Sequence, residues 1–180
     1  AETSPWFNNQ SYGDTLNKKA MEEFTRQVYQ KYFEEVGTEF GKTIPAIFTD
    51  EPQFSRKDCL DFAEGKEELK IPYTDDLEEG FQKTYGKSLL NALPEIFWEL
   101  PEGVSKVRYL YHDYVAERFA QSYSDTLGAW CREHGIMLTG HMMEEPELGS
   151  QTGSLGEAMR QYRGFDLPGI DMLADFREYT

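Results

Sequence analysis

Apolar residues recur every three or four positions between Asn17 and Val36, at Met21, Phe24, Val28, Tyr32 and Val36, the spacing that lines one face of a helix. Asn17 can cap its start and Gly37 can stop it. A short apolar run, Ile44 to Phe48, then has the length and flanks of a buried strand, with Pro45 at its beginning. From residue 53 to 101 the pattern turns irregular, with helical pieces near Asp75–Tyr85 and Ser88–Leu93, and reads as a long loop insertion. A long helix follows over about Val104–His134, its face marked by Val107, Tyr111, Tyr114, Phe119, Tyr123, Leu127 and Trp130, and Gly135 ends it.

Ile136–His141 reads as a second strand, Leu155–Tyr162 as a short helix and Gly169–Leu173 as a third strand. Helix and strand alternate with long connections, so the strands are expected to be parallel. Three strands cannot close a barrel, which typically takes about 250 residues. The expected class is therefore α/β with parallel strands in a single domain, either a small open unit or an excised part of something larger, and the second, a partial (β/α)8 TIM-barrel-like segment, is preferred. The turn-like Ser4-Pro5-Trp6 start and the abrupt Phe176–Thr180 end suggest a section of something larger.

A formal charge of -15 excludes a phosphate-backbone partner and disfavours an anionic membrane. No run approaches a membrane span of about 20 apolar residues, and Ala1–Gln10 lacks the regions of a signal peptide. The compartment stays open, periplasmic and extracellular placements included. Cys59 and Cys131 stand far apart without CxxC spacing, and two unpaired thiols are expected.

In parallel α/β folds the chemistry gathers beyond the carboxyl ends of strands. The first strand ends in Thr49-Asp50-Glu51-Pro52 and the second in Gly140-His141-Met142-Met143-Glu144-Glu145. Cleaving a glycosidic bond commonly takes one carboxylic acid to protonate the leaving oxygen and a second carboxylate to activate water or attack the sugar. Alternation along a strand sets Thr49 and Glu51 against Asp50, as long as extended geometry persists. Adjacent acids also arise by chance among 33 acidic residues, as at Asp75-Asp76, and His141 could equally be a satisfied interior histidine. His and carboxylates are competent metal ligands too, but no HxxxH or HxH spacing is present. Trp6, Phe54, Tyr73, Phe97 and Trp98 are candidate sugar platforms, because flat rings complement the C–H faces of sugars.

Four strings occur in order: Phe40-Gly41-Lys42, Ile47-Phe48-Thr49-Asp50-Glu51-Pro52, Leu138-Thr139-Gly140-His141-Met142-Met143-Glu144 and Pro168-Gly169-Ile170-Asp171. Together with Phe81–Gly86 and the helix around Tyr109–Trp130, this pattern resembles the catalytic barrel of the α-L-rhamnosidases of glycoside hydrolase family 106, over about residues 12–175. The resemblance implies a (β/α)8 barrel within a longer multidomain enzyme that hydrolyses terminal rhamnosides with inversion. It requires no organic cofactor and sometimes carries calcium. By that likeness Glu51 and Glu144 are the carboxylate pair, with no order of acid and base assigned. Asp50, His141 and Asp171 orient substrate, and Glu145 is the reserve candidate. The chain is far shorter than that barrel, so the remaining barrel and accessory domains become its expected partners. A non-catalytic carbohydrate-binding or interaction module is the alternative.

Overall fold

The computed structural model describes residues 3–54, 56–62 and 64–172. Two short antiparallel strands, β1 (Thr3–Ser4) and β2 (Gln10–Ser11), precede α1 (Lys18–Gln27) and α2 (Tyr29–Val36). The side chain of Asn17 accepts hydrogen bonds from the amides of Lys19 and Ala20, the expected cap. The predicted single helix is divided at Val28, whose φ of -110° and ψ of -65° depart from helical values. The break is slight: Val28 N still donates to the Phe24 carbonyl at 2.9 Å, and Tyr32 N reaches the Val28 carbonyl at 3.4 Å.

β3 (Ala46–Asp50) leads into the irregular excursion, which carries α3 (Leu77–Tyr85) and α4 (Pro94–Phe97). Then come α5 (Lys106–Phe119), one π turn (Ala120–Ser124) and α6 (Asp125–Glu133), together the predicted long helix. Its buried residues fall every fourth position: Val107, Tyr111, Val115, Phe119, Tyr123, Leu127 and Cys131. At 3.6 residues per turn such a stripe drifts by about 40° at each step. The wider π turn takes up part of that drift and keeps Tyr123 and Leu127 facing the core. Gly135 closes the helix with a φ of 69°.

β4 (Met137–His141) follows, then α7 (Leu148–Ser154), α8 (Ala158–Tyr162) and β5 (Leu167–Pro168). The predicted helix over Leu155–Tyr162 begins three residues late, because Gly156, at a φ of 86°, packs against Ala116. The third strand also lies earlier than Gly169–Leu173. Asp166 N donates to the Leu138 carbonyl and Gly169 N to the Gly140 carbonyl, which exhausts the pairing with β4. Leu173 and the Phe176–Thr180 end lie outside the described residues.

β3, β4 and β5 form one parallel sheet with β4 at its centre. Parallel strands were expected; a closed barrel is absent among the described residues, and the architecture is a three-stranded mixed α/β layer. Ile47 and Leu138, then Thr49 and Gly140, face each other in register on the side covered by helices. The Thr49 hydroxyl lies 2.7 Å from that of Tyr123 in the π turn, locking strand to helix. Phe48 and Thr139, then Asp50 and His141, occupy the other side, where Phe48 is 61% exposed. Cys59 is exposed and Cys131 buried, both as free thiols, and burial pushes the Cys131 thiol up to about 12. No helix among the described residues is long and apolar enough to cross a membrane.

At Gly140 the backbone of β4 lies close against that of β3. Its φ is 135°, and a Cβ there would overlap the backbone of Thr49. Gly140→Ala is expected to cost about 3 kcal/mol or more. Gly149→Ala in α7, with open space around it, should be neutral or stabilising by about 0.5–1 kcal/mol. Equal urea midpoints for the two variants would contradict this account of the sheet.

Candidate functional site

Beyond the ends of β3 and β4 the backbone leaves extended geometry in the same way twice. Glu51 has a φ of 46° and Glu144 a φ of 58°. Asn8 and Asn9 share the left-handed region, but asparagine tolerates it and glutamate does not readily. The turn at Glu51 resets the alternation of β3: Thr49 points into the helix layer, while Glu51 joins the rim above the sheet. Strain of this kind persists only where surrounding structure enforces it.

Glu51, Met142, Met143, Glu144, Glu145, Pro146 and Asp171 line one cavity of about 290 Å³. Among the described residues nothing donates to the Glu51 carboxylate. Glu144 pairs with the guanidinium of Arg56, which reaches over from the excursion. Arg56 carries no sequence signal for this role, because the contact spans 88 positions.

Glu145 is only 4% exposed, and its carboxylate works as a clamp. It accepts from Met142 N at 2.7 Å and from Asp171 N at 2.8 Å, and the Tyr162 hydroxyl lies 2.9 Å from it. Three segments are thereby tied together: the end of β4, the end of α8 and the chain beyond β5. Burial, and then the adjacent Glu145, raise the Tyr162 phenol above its ordinary pKa. Tyr162 was not among the sequence candidates; its position on the last turn of a short helix looks like ordinary packing.

His141 is 8% exposed and only half satisfied. Its Nε2 lies 3.0 Å from Oδ1 of the exposed Asp50, whereas Nδ1 has no hydrogen bond and sits 3.9 Å from Glu145 Oε2. Phe48 meets the ring edge-on at 5.8 Å. Asp50 and His141 thus form a pair on the open side of the sheet, and ligand atoms of Glu51, His141 and Asp171 lie within 4.8 Å of one another. That trio offers two carboxylates and an imidazole, whereas calcium takes six to eight oxygens. By itself it does not supply a calcium shell.

The aromatic candidates fall elsewhere. Phe54 is buried in the core against Phe119, Tyr73 and Trp98 are exposed, Phe97 is half-buried, and none of these four lines the cavity. The side chain of Trp6 lies outside the described residues. Trp130 is half-buried against the core, stacked on His134 at 3.9 Å.

The fold has a known counterpart. A rhamnosidase from Novosphingobium sp. PP1Y superposes with a TM-score of 0.58 at 16% identity, over 84% of this chain and 13% of that one. At this identity the likeness to the rhamnosidase is one of fold, and the chain spans about an eighth of that protein's length. No protein-family model and no curated protein matches the sequence. The segment shared with the rhamnosidase is a mixed α/β unit, in keeping with the parallel sheet and helices above.

The clamp can be tested without any substrate. Glu145→Ala strands two backbone amides and should cost about 3 kcal/mol, more than Glu145→Gln, which keeps one acceptor oxygen. Urea unfolding measures both. Losses below about 0.5 kcal/mol for each would remove Glu145 from this role.

Proposed function

We propose that this chain carries the carboxylate pair of an inverting glycoside hydrolase of α-L-rhamnosidase type and folds as part of a larger β/α barrel. The observation that carries the reading is the left-handed backbone at both Glu51 and Glu144, at the ends of neighbouring parallel strands and on one cavity. A fold alone asks for glycine or asparagine in that conformation; glutamate there answers to chemistry.

In this reading one carboxyl protonates the glycosidic oxygen while the other activates a water on the opposite face of the sugar ring. Arg56 offsets the charge of Glu144 and brings the excursion into the site. Asp50 and His141 present a hydrogen-bonding edge for sugar hydroxyls, and the clamp at Glu145 sets the position of Asp171.

The sheet supports the larger barrel. Parallel sheets are normally covered on both faces, yet Phe48, Met137 and Leu167 lie exposed on one face. Beside the unpaired edge of β3 runs a groove of about 550 Å³, lined by Phe24, Tyr29, Tyr32, Val36 and Ile47 among others. Further strands and helices of the same enzyme would cover both, and a terminal rhamnoside would enter above them.

Glu51→Gln and Glu144→Gln, made in the protein that contains this segment, should each lower kcat on an aryl rhamnoside by about 10²–10⁴-fold with KM changed far less. Folding, followed by circular dichroism, should be retained. Wild-type turnover in both variants would overturn the catalytic reading and favour a carbohydrate-binding module. Activity abolished by chelation and restored by a transition metal would favour a metal-dependent hydrolase instead.

A further inference from the structure

We propose that Lys57, Arg108 and His112 form a binding site for a small oxyanion, either an inorganic one or the carboxylate of an acidic sugar. The proposal is independent of the glycosidase reading and concerns a different part of the molecule.

With 33 acidic residues against 18 lysines and arginines, a cation in this chain readily finds a carboxylate. Arg26, Arg56, Arg118, Arg132, Arg160 and Arg163 each lie within ion-pair distance of one. Arg108 is the exception among the described arginines. Its Nε donates to the Glu95 carbonyl at 3.3 Å, and its Nη2 is buried without a partner.

His112 stands four residues further along α5, so it projects from the same face as Arg108. Lys57 comes from the excursion to meet them, with Nζ 2.9 Å from His112 Nε2. The lysine is held there by its backbone, because Lys57 N donates to the Gly153 carbonyl at 3.1 Å. Lys57 donates to His112 with Arg108 one helical turn away, and among the described residues no carboxylate lies within ion-pair distance of Lys57 or Arg108. Exposed Cys59 also lies near Lys57.

This convergence works against charge. Burial, then Lys57 and Arg108, hold the His112 imidazole down to about 4, and burial also lowers the Lys57 amine. Leaving the buried Nη2 of Arg108 unpaired costs free energy, and an anion held there removes that cost. A guanidinium fork and an ammonium are the groups that grip oxyanions.

The test follows the His112 ring by NMR in the wild-type protein. Without an anion the folded midpoint lies near 4, below the ordinary 6.5. Neutral His112 therefore contributes stability that is present above pH 6.5 and is lost as pH falls through 4. Sulfate, phosphate and galacturonate are then added against sodium chloride of equal ionic strength. A bound anion favours the imidazolium, so the His112 midpoint should rise by about one pH unit or more. Lys57→Gln and Arg108→Gln should each weaken the effect about tenfold. A larger response to sulfate or phosphate assigns the site to inorganic oxyanions, and a larger response to galacturonate assigns it to acidic sugars. A midpoint unmoved by all three at about 50 mM overturns the proposal.

Discussion

Most of this molecule depends on the close approach of β3 to β4 at Thr49 and Gly140. The two residues face each other in a parallel register on the helix-covered side, and the absence of a Cβ at Gly140 lets the two backbones meet. The Thr49 hydroxyl then carries the contact outward to Tyr123 in the π turn, so sheet spacing and helix register are set by one chain of contacts. Because a change of one residue in strand register reverses the face of every side chain, the same contact decides that Asp50 and His141 meet on the open side. It also decides that the turns at Glu51 and Glu144 rise next to each other.

Local pattern made much of this visible before any coordinates. The Asn17 cap, β4, α3 and nearly the whole long helix follow from short-range spacing and turn chemistry, whereas β3 (Ala46–Asp50) lies two residues later than the apolar run Ile44–Phe48 and α4 (Pro94–Phe97) falls just beyond Ser88–Leu93. The departures have longer-range causes. The π turn answers a drift that accumulates over seven turns. The late start of α8 comes from Gly156 against Ala116, forty positions away. β5 stops where its pairing with β4 stops, which its own residues do not announce.

The site was readable in the same uneven way. Strand-end position pointed to Asp50 and Glu51 alike and to the Gly140–Glu145 string, and family likeness selected Glu51 and Glu144 among them. Parity along β3 would have kept Glu51 on the side of Thr49, and it fails because the left-handed turn intervenes between them. Arg56, Tyr162 and the inward turn of Glu145 had no local signature. Each is defined by contacts that long connections bring together, and burial with three hydrogen bonds distinguishes Glu145 from Glu51 and Glu144 on the same cavity.

The left-handed backbone at Glu51 and Glu144 also bears on how such a chain would evolve. A glutamate held in this conformation works against folding at both positions, and only its carboxylate offers anything in return. On the proposed catalytic reading, a descendant relieved of turnover would drift toward glycine or asparagine at these two places and become more stable. Among distant relatives, the residues at these two turns would distinguish working copies from retired ones more sharply than any measure of overall similarity.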